Sequence, residues 1–269
     1  MGLKKRRILI TGASSGIGES LISEWSVKTG PASDHFIIAA RNVSKLNEIQ
    51  KRCLEKNPGA SIEVMELDLA RPESIAKAAQ TLIESGEVDI VVHNAGISQR
   101  SLAKNTEMSV YRSLMDVNYF GTVDLTLKLL PSMLKRGSGQ FVVVTSLAGK
   151  FGTPMRSGYA GSKHALHGFF ESLRAEVYDA GVRVTMVCPG FVRTNISFVA
   201  LTGDGSQQGK MDDVQDSGMA PDAFARKMIA AIEAKKEEVY IGGKEVMGVY
   251  LKRFSPNLFS RLIRRAKVV

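Results

Sequence analysis

Short apolar runs alternate with amphipathic stretches along most of this chain. Ile8-Leu9-Ile10, His35 to Ala40, Ile62 to Leu67, Val88 to Val92, Phe141 to Thr145 and Val182 to Cys188 are short, rich in β-branched residues and bounded by turn formers, so each reads as a strand. The stretches between them read as helices: from the glycines after Thr11 to about Lys28, Val43 to Lys56, Pro72 to Ser85, Glu107 to Leu134, and the segment carrying Tyr159. Pro72 suits a first helical turn, and Pro131 bends the last turn of its helix. A helix near Pro221 to Ala234 leads to Val239-Tyr240-Ile241, an edge strand. This alternation predicts right-handed crossovers and the α/β class: one domain built on a doubly wound parallel sheet of about seven strands with helices on both faces. Ligands of such sheets bind beyond the carboxyl ends of the strands.

Those strand ends hold the candidate chemistry. The first runs into Thr11-Gly12-Ala13-Ser14-Ser15-Gly16-Ile17-Gly18. Gly12 permits a tight turn, Gly16 lets backbone approach a phosphate, and Gly18 lets the helix pack on the sheet, while Ser14 and Ser15 add hydroxyls; a pyrophosphate fits such a loop. The second strand ends at Ala40-Arg41, where an NAD site would place an acid. The arginine suits the 2′-phosphate of NADP, or is a solvated surface cation. Asp68, followed by Leu69, either accepts from an adenine amino group or caps a turn. Asn94-Ala95-Gly96 is small enough to let backbone approach a ribose, and Thr194, after Pro189, Gly190 and Val192, is placed for a carboxamide.

The fifth strand ends at Ser146, and Tyr159 and Lys163 follow four residues apart on one helix face. A free phenol is a poor base at neutral pH. An ammonium about 5 Å away at an effective dielectric near 20 is worth roughly 3 kcal/mol, or about two pKa units. Tyr159 would then exchange a proton with an alcohol or carbonyl oxygen that Ser146 holds. A second Tyr-x-x-x-Lys, Tyr240 to Lys244, encloses Gly242-Gly243 and reads as a strand end and turn.

Together these motifs resemble the short-chain dehydrogenase/reductase family: Thr11-Gly-x-x-x-Gly16-Ile17-Gly18, Asp68, Asn94-Ala95-Gly96, Asn118, Ser146, Tyr159-x-x-x-Lys163, and Pro189-Gly190 with Thr194, in the family's order from residue 8 to about 195. The resemblance implies a Rossmann-type fold and hydride transfer between a nicotinamide and an alcohol or carbonyl. It implies Tyr159 as acid/base, Ser146 as orienter of the substrate oxygen, and Lys163 as ribose ligand. It also implies that Asn118, an unfavourable residue mid-helix, holds a water linked to Lys163. The cofactor expected is NADP (NADPH). One departure is His93, where the family commonly has asparagine. His35, His164 and His167 read as surface or packing residues, and no metal is expected.

The chain has 269 residues, 44% hydrophobic and 23% charged, with net charge +9. The charge permits anionic partners without choosing one; no nucleic-acid module accompanies it. Only Cys53 and Cys188 occur, which fits a reducing, cytoplasmic setting. Gly2 is followed by Arg6 where a myristoylation signal needs Ser or Thr, and no run of about 18 apolar residues suggests a membrane span. Residues 1–243 are expected to be the catalytic domain, including a mobile substrate lid at 190–220 whose glycine-rich part, Thr202 to Gly218, would otherwise be a surface loop. Phe191, Ile196, Phe198, Val199 and Leu201 suggest an apolar wall and a lipid-, steroid- or aromatic-like carbonyl or alcohol. Residues 244–269 form a basic extension ending in a helix that starts at Ser255-Pro256, with Leu258, Phe259, Leu262 and Ile263 on one face. It shields the pocket, forms a subunit contact or lies on a membrane surface. A homodimer or homotetramer is expected. A catalytically silent NADP-binding redox sensor or scaffold is the alternative function.

Overall fold

The computed structural model describes residues 5–28 and 34–266; Gly2 and Lys267 lie outside the described residues. Seven parallel strands, β1 (Arg7–Thr11), β2 (His35–Ala40), β3 (Ser61–Glu66), β4 (Ile90–His93), β5 (Gly139–Val144), β6 (Val182–Pro189) and β7 (Glu238–Ile241), form one sheet in the order β3-β2-β1-β4-β5-β6-β7. The helices between them are α1 (Gly16–Lys28), α2 (Val43–Lys56), α3 (Pro72–Glu84), α4 (Met108–Met115), α5 (Gly121–Arg136), α6 (Ser157–Val177), α7 (Asp213–Asp216) and α8 (Pro221–Glu233), followed by α9 (Met247–Phe254) and α10 (Pro256–Ile263). The doubly wound α/β architecture expected from the sequence is therefore present.

The period of two along each strand sends alternate side chains to opposite faces. Ile8, Ile10, Phe36, Ile38, Val142 and Val144 join a core with Leu21 and Trp25 of α1, Leu46 of α2, and Phe224 and Met228 of α8. Leu9, Ile37, Phe141 and Val143 join another with Ile75 of α3, Leu125 and Leu129 of α5, and Leu166 and Phe170 of α6. Both faces are covered, which is why the strands read as nearly continuous apolar runs. The strand order reverses between β1 and β4, so Gly12 and Ala95 meet there; a Cβ on Gly12 would stand 2.6 Å from Ala95 Cα.

The helix expected over Glu107 to Leu134 is interrupted. A five-residue π-helical segment, Asp116–Phe120, separates α4 from α5. Asn118 explains it: Oδ1 accepts from Ile97 N at 2.8 Å, and Nδ2 donates to Ile97 O at 3.0 Å and to Ser162 Oγ at 2.9 Å. The widened turn lets a buried amide reach the main chain after β4. The Tyr240-Ile241-Gly242-Gly243-Lys244 stretch is a strand end and turn, as its glycines predict.

Candidate active site

A cavity of about 1290 Å³ opens across the carboxyl ends of the strands. One half of it lies at the β1/β4 crevice. Gly12 and Gly16 have φ of +65° and +58°, conformations that favour glycine, and they bring Ser14, Ser15 and Ile17 to the cavity wall at the N-terminus of α1. Asn94 holds this turn, donating through Nδ2 to Thr11 O at 3.0 Å and Gly12 O at 3.1 Å. Gly18 stands behind the wall, where a Cβ would come within 2.6 Å of that amide nitrogen. Arg41, Asp68, Leu69, Ala95 and Gly96 line the same half. Asp68 Oδ1 accepts from Ala70 N at 3.0 Å, so it caps its turn while facing the cavity. Across the cleft stand Pro189, Gly190, Val192 and Thr194; a Cβ on Gly16 would lie 3.2 Å from Thr194 Cβ. Positive-φ glycines, a helix N-terminus and a cationic side chain at the end of β2 together form a cradle that fits a phosphorylated dinucleotide.

Ser146, Tyr159 and Lys163 converge beside this cradle. Ser146 follows β5 in extended backbone, and its Oγ accepts from Ala148 N at 3.0 Å. Tyr159 is 8% exposed and Lys163 4%. Lys163 Nζ donates to Val144 O at 2.9 Å and lies 5.9 Å from the Tyr159 ring centroid. Gly96 connects Lys163 to Asn118: a Cβ there would be 3.4 Å from Lys163 Nζ and 3.1 Å from Asn118 Oδ1. Asn118 thus backs the wall rather than lining it.

The electrostatics correct one expectation. Burial raises the Tyr159 pKa above the ordinary phenol value, opposed by a hydrogen bond with Ser146 and by the cations Arg156 and Arg100. Burial also pushes Lys163 down to about 8. The ammonium donates to a main-chain carbonyl, and desolvation is the largest influence on the phenol. His93, the departure from the family pattern, is buried; its Nε2 shares a 2.8 Å hydrogen bond with Thr126 Oγ1 and its ring stacks on Phe141.

The other half of the cavity is largely apolar, with Arg100, Arg156 and Glu245 among its lining residues. Phe191, Ile196 and Val199 of the expected lid meet Leu251, Phe259, Leu262 and Ile263 of the C-terminal extension. Phe198 is instead exposed, and Leu201 pairs with Gln99 and Gln207. The segment 190–220, expected to be a lid, is hydrogen-bonded at both ends and in its middle: Met219 N to Phe191 O at 2.9 Å, Arg193 N to Met219 O at 3.0 Å, and Arg100 N to Leu201 O at 2.8 Å. Sequence reasoning missed Gln99, Arg100, Arg156 and Asp212, all buried around Tyr159. Gln99, Arg100 and Arg156 were only polar residues within five positions of a motif, which surface loops show equally, and Asp212 lay in the polar loop, far from any motif.

Comparison with known proteins agrees with this geometry. The family model described as short chain dehydrogenase matches residues 6–201. A Drosophila melanogaster protein named dehydrogenase/reductase SDR family protein 7-like is 39% identical over 265 residues, covering 97% of this chain and 80% of that one. The structure of a short-chain dehydrogenase from Streptomyces avermitilis superposes with TM-score 0.78 at 29% identity, over 97% of this chain and 96% of that one. An alcohol dehydrogenase from Thermococcus sibiricus, complexed with 5-hydroxy-NADP, gives TM-score 0.75 at 25% identity over 89% and 97%. Solved chains of this fold carry NADP in some complexes and NAD in others.

Proposed function

This chain belongs to the short-chain dehydrogenase/reductase family, and on that premise we propose that it is an NADP(H)-dependent oxidoreductase reducing an apolar carbonyl compound to its alcohol. The observation that carries the reading is the convergence of Ser146, Tyr159 and Lys163 where the cradle meets the apolar half of the cavity. The bound nicotinamide dinucleotide supplies the hydride. Ser146 Oγ donates a hydrogen bond to the substrate oxygen, and Tyr159 delivers its phenolic proton to that oxygen as charge develops on it. Lys163 would hold a ribose of the cofactor, and Asn118, anchored on the main chain of Ile97, would carry a water that relays protons to it. The buried, high-pKa phenol favours the protonated form, which suits reduction.

Arg41 supports the choice of NADP, because β2 ends at Ala40 without the acid that would bind a ribose 2′-hydroxyl. Nothing lost from the catalytic set favours the silent sensor or scaffold. Cys53 and Cys188 are free and buried, in keeping with a reducing cytoplasmic compartment. A homo-oligomer is part of the same reading, and light scattering would refute it by returning the monomer mass.

Tyr159→Phe is expected to lower ketone turnover by about 10²–10⁴-fold while NADPH affinity, read by fluorescence titration, stays within a few-fold. Retained turnover would remove this tyrosine as the proton donor. Arg41→Asp is expected to shift the ratio of kcat/KM values for NADPH and NADH toward NADH; an unchanged ratio means that Arg41 does not read the phosphate.

A further inference from the structure

Glu245 is the second residue of the C-terminal extension, in the 3₁₀ turn Lys244–Val246 that follows β7. From there it reaches the cavity wall. Its Oε1 accepts from Phe191 N and from Gly243 N, both at 3.0 Å. These two main-chain amides are its hydrogen-bond partners among the described residues.

The position of these bonds matters. Strands β6 and β7 pair as far as Pro189 and Ile241, and Gly190 N to Ile241 O at 2.9 Å is their last rung. One residue further on, Glu245 Oε1 bridges Phe191 N and Gly243 N, so a side chain continues the link where the ladder stops. Two glycines make room for it. A Cβ on Gly190 would overlap Glu245 Oε1, and one on Gly242 would stand 2.8 Å from the same oxygen. Neither glycine has a positive φ, so the missing side chain serves close approach here rather than a turn.

The chain held in this way lies where the two halves of the cavity meet. Gly190 and Val192 stand across the cleft from the glycine turn, and the Phe191 side chain between them begins the apolar wall. Met219 N donates to Phe191 O at 2.9 Å and Gln215 Nε2 donates to Val192 O, which fixes the carbonyl side of the same stretch. Glu245 fixes the amide side.

We propose that Glu245 is a positioning residue, holding the Gly190–Phe191 main chain against which the nicotinamide end of the cofactor is set. The inference rests on the oxidoreductase reading and deepens it: one residue of the extension serves the reaction site and not only the roof. Glu245 exchanges no proton and acts through the backbone it holds. Releasing that backbone by about 1 Å is expected to cost about 10²-fold in turnover.

The test is calorimetric titration of the full chain with two ligands. NADPH carries the nicotinamide end, and 2′,5′-ADP lacks it; NADH and ADP replace them should Arg41 not select NADP. The readout is the ratio of the two affinities, because a general loosening of the fold weakens both ligands alike. Glu245→Ala is expected to lower the ratio tenfold or more. Glu245→Gln keeps an acceptor oxygen at the same reach and is expected to stay within threefold of the wild-type ratio. Glu245→Asp keeps the charge but falls one methylene short, and is expected to lower the ratio at least fivefold. A ratio unmoved in the Ala and Asp variants, equal weakening of both ligands, or a Gln variant as poor as the Asp variant overturns the positioning role. Gln against Asp decides the matter even if the Ala variant fails to fold. A wild-type chain that binds neither NADPH nor NADH would sink the oxidoreductase reading, and this role with it. Wild-type binding and ketone turnover with an unmoved ratio would sink the role alone.

Discussion

His93 ends β4 in a pocket that excludes its charged form. Its ring lies between Phe141 and Phe170, and burial pushes its pKa down to about 3. The unfolded chain binds a proton at this histidine near its ordinary value, so between about 6.5 and 3 the unfolded state holds more protons than the folded one. Stability therefore falls as pH drops through that window, by about 2 kcal/mol at pH 5 from this group alone. His93→Asn, which restores the family's usual residue and keeps a polar partner for Thr126, is expected to flatten the acid limb of a urea-unfolding series between pH 7 and 5. An unchanged slope would assign acid sensitivity to other groups. The same desolvation governs Tyr159 and Lys163. Their four-residue spacing was legible, because helix periodicity alone puts them on one face. Their electrostatics were not, because the sequence does not say how deeply a group is buried or that an ammonium turns to Val144 O.

At the scale of elements, α6 is held at its start by a residue far away in sequence. Gln99 is fully buried; its Oε1 accepts from Gly158 N at 2.7 Å and Tyr159 N at 3.3 Å, and its Nε2 donates to Ser101 Oγ and Thr106 Oγ1, each at 3.1 Å. The local N-cap residue, Arg156, makes no capping bond, so a glutamine from the β4–α4 loop does the work of a cap. Gln99→Leu keeps the volume and removes the acceptor, leaving two first-turn amides buried without it. The expected cost is about 1–3 kcal/mol of stability, with a kcat loss for ketone reduction that exceeds any change in NADPH affinity, because Tyr159 is the residue released. Equal stability and kcat would show that the amides find another partner. Strand limits and the glycine turn were readable because local sequence dictates them. The π-helical segment and this remote cap depend on which loops meet, and β4, α4 and α6 meet only after the sheet has formed.

The whole molecule places its strand ends under a roof made by the last two helices. The sequence showed a basic amphipathic helix after Ser255-Pro256, but not which side would face the protein. The structure divides that apolar face: Phe259 packs on Phe151 with ring centroids 5.1 Å apart and Ile263 joins the same cluster, while Leu258 is 48% and Leu262 53% exposed. Phe254, at 81% exposure, lies beside Lys252 and Arg253 on the outer side. Among the described residues no helix is long and apolar enough to cross a membrane. We propose that this outer side, with exposed apolar groups beside cations, also touches an anionic membrane surface, in addition to the roofing role. A chain ending at Ser255 separates these roles from the catalytic body. It keeps Glu245, whose carboxylate ties the end of β7 to the start of the segment 190–220, and removes Phe259, Leu262 and Ile263 from the cavity wall. NADPH affinity is expected to stay within a few-fold, since the cradle at the β1/β4 crevice is untouched. The kcat/KM for long-chain ketones should fall tenfold or more, with little change for a short ketone that never reaches the roof. Co-sedimentation with phosphatidylserine vesicles should fall in the same protein if α10 is the membrane-facing part. Loss of activity toward long and short ketones alike would mean that the roof supports the catalytic residues themselves rather than the substrate's chain.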